Sequence, residues 1–448
     1  MERSALRKIL MLCYYFPPLV DVGGKRSVAF AKYLNKHGWT PYVMSVRNPD
    51  HQYCSLGNEK PPDGVPTTYT RSLLNLSWIF GKLNGLLFRI LLFCGVKPEG
   101  NYFHFFSPIP DFFIGWIPGA IFEGYRIIKR QNIDYIYVSC TPQSSALAGM
   151  ALKKLTGRPL IIDFRDPFYI NLEKAYEELQ IPAFRRKINR RLERSMIEAA
   201  DIFIVNTEEV RQGYLRAYPD IERKIFTVYN GFDREAIPIT KPNKFEKFTI
   251  AYGGNMYFEM IRSNAFFEAL AQLKREEIIR SDNFQFLYFG NGHGQVEQIA
   301  REFGIENLIS SNPSISHEEM LDILVRAHVQ LLRIVKPMIS TKLFEGIALN
   351  IPFLATIPKG EVAEIIAEYS PSSRIVSAES PGEIRKAILG TITEYSKGGI
   401  KDNYVSDFLD EFSREEMTRR LEGIIERSYS KKDIFLQEHK SWVRGGVD

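Results

Sequence analysis

The stretch "VYNGFDREAIPITKPNKFEKFTIAY", residues 228–252, decides how the chain is organised. Its middle part, residues 234–247, carries prolines and lysines and has the composition of a linker between domains. Directly after it, Phe248 to Tyr252 is an apolar and aromatic run with the length of a buried strand. A chain of 448 residues is too long for one core of about 150 residues, so we place a domain boundary at this stretch.

Short apolar runs alternate with longer helical patterns on both sides of this linker, which is typical of doubly wound parallel sheets. The predicted strands are Ile9 to Tyr15, Pro41 to Val46, Tyr135 to Ser139, Leu160 to Phe164, Ile202 to Asn206, Phe248 to Tyr252, Phe284 to Phe289, Val329 to Leu332 and Pro352 to Ala355. The fold class is therefore α/β, with two Rossmann-like domains in tandem. The first is expected over residues 1–235 and the second over residues 236–412.

The segment "SREEMTRRLEGIIERSYS" predicts a terminal helix over residues 413–430. It begins with a Ser and Glu capping box, and four apolar residues follow at helical spacing. These four are Met417, Leu421, Ile424 and Ile425. Residues 431–448 have no strong pattern and are expected to form a loose tail.

The composition, with 45% hydrophobic and 25% charged residues, is that of a globular protein. The net charge of +5 permits anionic partners such as phosphates or acidic lipid and does not indicate nucleic acid. The four cysteines form no CxxC pair, so we expect neither a zinc site nor disulfides, and a cytoplasmic location fits best. Residues 76–96 have the length of a membrane span, but Lys82 and Arg89 near the middle argue against spanning.

The first glycine loop lies in "YYFPPLVDVGGKRSVAFAKYL". Gly23 and Gly24 follow a predicted strand and open a helix, so backbone N–H groups and a helix N-terminus can meet an anion there. A tight turn that needs glycine explains the pair equally well. The adjacent Lys25 and Arg26 favour a phosphate.

The segment "PLIIDFRDPF" places Asp163, Arg165 and Asp166 at the carboxyl end of a buried strand, where α/β sheets keep their chemistry. The alternative is a structural network of ion pairs, which also perturbs pKa values.

Two loops of the second half repeat the order of strand followed by glycine. Gly254 and Asn255 follow one strand and precede a helical segment with Arg262, while Gly290 follows the next strand. Each loop alone is compatible with simple turn chemistry, and the matching placement favours a ligand site.

The stretch "STKLFEGIALNIPFLAT", residues 340–356, predicts a short helix and a strand. Ser340 and Thr341 are favoured N-cap residues, and Lys342 and Glu345 lie on nearly the same helix face. Free N–H groups and Lys342 suit a diphosphate, and Glu345 can accept hydrogen bonds from ribose or sugar hydroxyls. A solvated Lys and Glu pair is the alternative.

Six basic residues cluster in "FRRKINRRLER": Arg185, Arg186, Lys187, Arg190, Arg191 and Arg194. With Ile188 and Leu192 interleaved, this basic amphipathic helix is expected to contact an anionic membrane, although a solvated helix face has the same pattern.

These segments, in this order, resemble the GT-B glycosyltransferases, specifically the large retaining group that builds bacterial surface glycans. The resemblance is to a family-4-like subgroup with "FRDP", and it covers about residues 8–428 through "PDFFIGW", "ADIFIVNTEE", "VYNGFD" and the segments above. It implies two Rossmann-like domains that face a central cleft and a terminal helix that crosses back to the first domain.

The resemblance also implies roles for individual residues. Gly23, Gly24 and Arg26 match the loop that approaches the donor diphosphate and the acceptor. Arg165 and Asp166 match a loop that carries, in many relatives, a histidine that touches the transferred sugar.

In the second half, Gly254 and Arg262 match the donor loop, Lys342 a phosphate-binding position and Glu345 a ribose-binding position. The chain departs from the family pattern at Pro337, where many relatives have the first glutamate of E-x7-E, and at Arg165, which replaces the histidine. The predicted catalytic residues are Arg165, Asp166, Arg262 and Lys342, and the predicted donor-binding residues are Gly23, Gly24, Arg26, Gly254, Asn255, Gly290, Ser340, Thr341 and Glu345.

The implied activity is transfer of a sugar from a nucleotide diphosphate sugar to a lipid-linked or glycan acceptor in surface polysaccharide synthesis, with retention and without a metal or a further cofactor. The protein is then expected to be peripheral on the inner face of the membrane. A catalytically silent GT-B subunit docked on a membrane or partner, and an epimerase of sugar nucleotides, are the alternatives.

Overall fold

The chain divides into two units, each with its own parallel sheet. The computed structural model describes residues 7–20, 23–49, 55–57, 59–74, 76–95, 108–169, 183–238, 243–256, 263–334, 339–398 and 406–444. One unit comprises Met1–Tyr229 with Thr418–Asp448, and the other comprises Asn230–Met417.

The division falls slightly before the expected boundary at residue 235. Phe232 donates its N–H to the carbonyl of Phe412 at 3.1 Å, and its own carbonyl accepts from Arg414 N at 2.9 Å. These backbone hydrogen bonds attach the residue just before the expected linker to the second unit.

The first unit is built on a parallel sheet of seven strands. The strands of this unit are β1 (Lys8–Leu12), β2 (Leu19–Val20), β3 (Thr40–Val46), β4 (Ser55–Leu56), β5 (Thr67–Thr70), β6 (Tyr135–Cys140), β7 (Leu160–Phe164), β8 (Ile202–Val205) and β9 (Ile225–Thr227). β2 and β4 pair with each other, and the other seven follow the order β5-β3-β1-β6-β7-β8-β9. β7 and β8 are buried at every position, as expected for apolar strands covered by helices on both faces.

The helices of this unit are α1 (Gly24–Lys36), α2 (Leu76–Phe93), α3 (Ile117–Gln131), α4 (Ser144–Thr156), α5 (Ala183–Ala199) and α6 (Glu208–Ala217), with 3₁₀ turns at Phe112–Trp116 and Pro219–Ile221. Within the described ranges of the whole chain, no helix is long and apolar enough to cross a membrane.

The second unit repeats the arrangement with six parallel strands. They are β10 (Phe248–Gly253), β11 (Phe284–Phe289), β12 (Ile309–Asn312), β13 (Val329–Arg333), β14 (Phe353–Thr356) and β15 (Arg374–Val376), in the order β12-β11-β10-β13-β14-β15. Its helices are α7 (Ala265–Arg275), α8 (His293–Glu302), α9 (His317–Arg326), α10 (Thr341–Ala348), α11 (Glu361–Tyr369), α12 (Pro381–Ser396) and α13 (Ser406–Glu411), with 3₁₀ turns at Arg234–Ala236 and Glu306–Leu308.

All nine predicted strands are present, and the prediction of two Rossmann-like α/β domains is confirmed. The strands that the sequence analysis missed are short, and several are polar, such as "TTYT" in β5 and "ISSN" in β12. The order of strands reverses between β1 and β6 in the first sheet and between β10 and β13 in the second. Ligands of doubly wound sheets bind at the carboxyl ends of strands beside such a reversal.

The terminal helix α14 (Arg414–Arg444) packs mainly on the first unit. Its apolar residues Leu421 and Ile425 are buried, and His37, the residue after α1, contacts the Glu422 carboxylate at 2.7 Å. The helix continues past residue 430, where the sequence predicted a tail. Residues 431–444 contain neither glycine nor proline and are rich in lysine and other good helix formers, which explains the longer helix.

Candidate functional site

The site with the strongest chemistry lies at the reversal of strand order in the second unit. β10 ends next to Gly254, β13 ends at Arg333, and α10 starts at Thr341 in the connection that follows β13. Arg262 and Pro337, to which the sequence analysis gave roles, lie outside the described residues.

Lys342 is a half-buried cation at this site. Its Nζ lies over the ring of Tyr252, 4.7 Å from the ring centroid, in a cation–π contact. Burial lowers the pKa of Lys342 to about 8, and the Glu345 carboxylate acts in the opposite direction. Since burial disfavours the charged form, an anionic ligand beside Nζ would remove much of this penalty.

Arg333 is a second cation at the same strand ends and is only 5% exposed. Its Nε and Nη2 have no hydrogen-bond partner among the described residues. Burial lowers the pKa of Arg333, and the nearby Tyr252 acts in the opposite sense, so the phenol lies close to both cations. A buried guanidinium without a partner costs several kcal/mol, which points to an anion that completes its hydrogen bonds.

Arg333 was not predicted as a site residue. It is the last residue of the apolar run "VQLLR", and this run was interpreted only as a strand. The signal that could have found it is its position. A lone charge at the carboxyl end of a central strand is a site candidate in this type of sheet.

The N-terminus of α10 has the predicted cap. The hydroxyl of Ser340 accepts a hydrogen bond from Lys342 N at 3.3 Å, and the carbonyl of Ser340 accepts from Leu343 N at 3.1 Å. Thr341 is the first helical residue and is half-buried. Ser340 therefore acts as a helix cap, because its hydroxyl oxygen accepts a hydrogen bond from the first turn of α10.

Glu345 is held by a residue that the sequence analysis did not single out. Its Oε1 lies 2.8 Å from Nε2 of His317, the first residue of α9, and Glu345 is 7% exposed. Because 28 positions separate the two residues, only the packing of α9 against α10 shows the contact. The histidine fixes the orientation of the carboxylate expected to bind ribose hydroxyls.

The two glycine loops pack against each other beside Lys342. Gly254 has φ +114°, a conformation that favours glycine, and a Cβ on it would lie 2.4 Å from Lys342 Nζ. A Cβ on Gly290 would lie 2.3 Å from the carbonyl oxygen of Gly254. Asn255 is exposed, and its carbonyl accepts from the Tyr252 hydroxyl at 2.5 Å. Gly254 thus provides the space that the ammonium group occupies.

In the first unit, Arg26 is part of a buried ion pair. Nε and Nη2 donate to the two carboxylate oxygens of Asp163 at 2.7 and 3.2 Å, and Nη1 donates to the carbonyls of Val228 and Tyr229 at 2.8 and 2.7 Å. The Tyr137 hydroxyl also donates to Asp163 at 2.5 Å. Arg26 is 4% exposed, so this network favours a structural role over the expected contact with a donor diphosphate.

Arg165 also faces the protein. Its Nε donates to the carbonyl of Cys140 at 3.3 Å, its Nη2 donates to the carbonyl of Thr141, and the side chain is 9% exposed. Asp166 next to it is half-buried. Gly23 and Gly24 lie at the start of α1, as the glycine pattern predicts.

The six basic residues lie on α5, as predicted. Arg194 forms a bidentate pair with Asp220 at 2.9 and 2.7 Å and contacts Glu198 at 2.7 Å. Lys187, Arg190, Arg191 and Arg194 line an open groove of about 640 Å³. Arg194 therefore pairs with acidic side chains of the protein itself. Lys187, Arg190 and Arg191 are exposed.

The parts of the chain that the structure describes contain no group of three His, Cys, Asp or Glu side chains placed to hold a metal ion.

The two parallel sheets, each with helices around a reversal of strand order, define the GT-B fold. The family Glycosyltransferase Family 4 matches residues 24–236. No curated protein matches the chain significantly.

Several solved structures share this fold. Sucrose-phosphate synthase from Thermosynechococcus elongatus is 13% identical, with 95% of this chain and 100% of that chain covered and a TM-score of 0.63. The lipopolysaccharide outer core galactosyltransferase WaaB is 13% identical, with 95% and 99% covered and a TM-score of 0.55. A putative UDP-N-acetylglucosamine 2-epimerase from Listeria monocytogenes is 12% identical, with 95% and 98% covered and a TM-score of 0.55.

Likeness at this identity shows the fold alone, and the fold occurs here in transferases and in an epimerase. Together with the family match, the shared fold supports the assignment of this chain to the GT-B glycosyltransferases.

Proposed function

We propose that the chain transfers a sugar from a nucleotide diphosphate sugar to a lipid-linked or glycan acceptor. The observation that carries this proposal is a pair of cations close to Tyr252 at the reversal of strand order in the second unit. They are the half-buried Lys342 and the buried Arg333, whose Nε and Nη2 have no hydrogen-bond partner among the described residues. Neither cation is neutralised by a bidentate carboxylate among the described residues, unlike Arg26 in the first unit.

The chemistry of the proposed reaction needs positive charge at one place. When the bond between the anomeric carbon and the phosphate breaks, negative charge grows on the departing diphosphate. Preorganised donors in a buried site stabilise this charge, and removing one such donor typically costs about 3 kcal/mol, or about a hundredfold in rate. We assign this role to Lys342 and Arg333, and we propose that the Glu345 carboxylate, which His317 contacts, binds a ribose.

Two cations of this kind supply the charge stabilisation that a divalent ion gives in other transferases, so we propose a reaction that needs neither a metal nor a further cofactor. The expected result is full turnover in the presence of EDTA. A loss of turnover that Mg²⁺ or Mn²⁺ restores would contradict this part of the proposal.

Retention of the anomeric configuration, the lipid-linked or glycan acceptor and the role in surface polysaccharide synthesis are proposed from the order of motifs shared with the retaining GT-B group. The same resemblance supports a location in the cytoplasm at the inner face of the membrane. Product analysis by NMR with polyprenyl-linked acceptors tests the linkage, because the coupling of the anomeric proton distinguishes retention from inversion.

The exposed cations of α5 support a contact with anionic membrane, because such side chains are attracted to acidic lipid. Lys187→Gln with Arg191→Gln is expected to weaken binding to acidic vesicles at low salt and to leave binding at high salt unchanged. Equal binding of variant and wild type at low salt would remove α5 from the membrane contact.

The first experiment is a screen of nucleoside diphosphates and their sugars by thermal shift and calorimetry, followed by mass analysis of products. A ligand that binds the folded state raises the melting temperature, whereas a silent GT-B subunit gains no such stability. The networks that occupy Arg26 and Arg165 are the observation that favours a silent subunit. Incubation with donor alone identifies an epimerase, since a transferase needs the acceptor.

A further inference from the structure

Helix α2 exposes an apolar face of unusual extent. Six of its large apolar side chains are between 43% and 93% exposed. They are Trp78, Leu83, Leu86, Ile90, Leu92 and Phe93. Leu73 and Leu74, just before the helix, are 68% and 53% exposed. Isolated surface apolar residues are common, but a contiguous set of this size marks an interaction surface.

Two cations lie on the same face as these apolar residues. Positions 78, 82, 86, 89 and 93 follow the spacing of one helical stripe, so Lys82 and Arg89 alternate along it with Trp78, Leu86 and Phe93. The Lys82 ammonium lies 5.5 Å from the Trp78 ring centroid. The helix "LSWIFGKLNGLLFRILLF" contains no acidic residue.

The opposite side of α2 attaches the helix to the first unit. Phe80 contacts Phe112 of the neighbouring 3₁₀ turn, with ring centroids 5.8 Å apart. Just before the helix, Leu73 donates its N–H to the carbonyl of Gly115 at 2.9 Å. The apolar stripe is therefore presented outwards by a helix that is itself anchored.

We propose that this stripe lies in the interfacial region of a bilayer that contains anionic lipid, with α2 parallel to the membrane plane. Acyl chains accept the leucine, isoleucine and phenylalanine side chains, tryptophan favours the interface, and the two cations reach the lipid phosphates along their aliphatic stems. A protein partner would need carboxylates embedded among apolar groups, which is a rarer surface.

The proposed contact differs from a spanning helix and from the contact of α5. The 18 residues of α2 are about 27 Å long but carry two charges on the exposed stripe, so the helix lies on the bilayer. The cations of α5 would bind by charge alone, whereas the α2 stripe buries apolar surface and keeps its affinity in high salt. This inference rests on the part of the proposed function that places the protein at a membrane.

The test is flotation of the full chain with vesicles of phosphatidylcholine containing 30% phosphatidylglycerol, at low salt and in high salt. The triple variant Trp78→Ser, Leu86→Ser, Phe93→Ser is expected to lower the partition coefficient about a hundredfold under both conditions. The variant Lys82→Gln, Arg89→Gln is expected to lower it about thirtyfold on acidic vesicles at low salt only.

The matched control is Leu155→Ser with Ile375→Ser, which removes apolar side chains that are 56% and 41% exposed elsewhere on the surface. It is expected to bind vesicles as wild type does. A circular dichroism melt of each variant establishes that it is folded.

Trp78 gives a direct readout of insertion. Trp39 and Trp116 are 5% and 0% exposed, so in the variant Trp442→Phe the fluorescence change on adding vesicles reports Trp78. A blue shift, with quenching by lipids brominated in the acyl chain, is expected. No shift in a sample that floats with the vesicles would place the contact elsewhere and overturn the inference.

Vesicle binding that is equal in the triple variant and the wild type would also overturn it. So would a dimer in gel filtration that the triple variant converts to a monomer, because the stripe would then be an interface between two copies. The outcome is separable from that of the proposed catalytic function. These assays contain no nucleotide, and the triple variant is expected to bind a nucleoside diphosphate as the wild type does.

Discussion

Replacing Lys342 by arginine is expected to remove the pH dependence of nucleoside diphosphate binding above pH 8. Burial lowers the pKa of Lys342 from 10.5 to about 8 in the free protein. This shift corresponds to a penalty of about 3 kcal/mol on the charged form. A diphosphate that contacts Nζ favours the charged form and so raises the pKa again.

The affinity for a nucleoside diphosphate falls at high pH because free Lys342 loses its proton there. With a pKa of about 8 in the free protein, Lys342 is about 90% protonated at pH 7 and about 10% protonated at pH 9. Binding at pH 9 must therefore take up about 0.9 proton, against about 0.1 at pH 7. Affinity is full below pH 8 and falls about tenfold for each pH unit above it, until the pKa of the complex is reached.

The assay is isothermal titration calorimetry at pH 7 and pH 9 in pairs of buffers with different ionisation enthalpies, which gives the number of protons taken up. In Lys342→Arg the guanidinium stays charged over this range, so proton uptake and the fall in affinity are expected to disappear. Lys359→Arg, at an exposed lysine of the same unit, is the control and should keep both.

The corresponding nucleoside provides a second control, since it lacks the diphosphate and its binding should not vary with pH. Wild-type affinity that is constant from pH 7 to pH 9.5, with no proton uptake, would refute the placement of the diphosphate at Lys342.

Three further predictions concern other residues. Arg333→Met is expected to weaken binding of a nucleoside diphosphate about a hundredfold and to keep or raise the melting temperature of the free protein, because it removes a buried charge whose Nε and Nη2 have no hydrogen-bond partner among the described residues. Calorimetry and a thermal melt measure the two effects, and a marked loss of stability would mean that Arg333 has a structural partner. Asp163→Asn should lower the free energy of unfolding by about 3–5 kcal/mol in urea, since it leaves Arg26 buried and charged, and a change below 1 kcal/mol would contradict this network. Burial lowers the pKa of His328 to about 4 from 6.5, so its neutral form contributes stability that is full above pH 6.5 and is lost as pH falls to 4. Urea unfolding should show a loss of about 3 kcal/mol over this range that is absent in His328→Phe, and an identical loss in both proteins would exclude this histidine as the cause.

The fold was predictable because its determinants are local and repeated. Each central strand is an apolar run followed by a glycine loop or a helix cap, and a restart of this pattern after residue 247 marks a second sheet. The short strands β5 and β12 were missed, since four residues such as "TTYT" or "ISSN" carry little apolar signal of their own.

The candidate site was predictable only in part. Several of its residues can either bind a ligand or form a structural contact, and the choice depends on a partner that is distant in sequence. From the sequence, Arg26 is suited to bind a phosphate. The structure shows that it instead donates to Asp163, which is 137 positions away. His317 becomes part of the site only through its contact with Glu345. Lys342 was found because its whole context, a cap, a short helix and a strand, lies within one segment.

The first unit is discontinuous in sequence, since it needs Thr418–Asp448 as well as Met1–Tyr229. During synthesis, the ribosome must therefore make all of the second unit before the first can bury its last helix. Until then the surface that α14 covers, including the site of His37, is open to solvent and to chaperones. The second unit has its own sheet and can fold before Thr418–Asp448, the last segment of the first unit, has been synthesised.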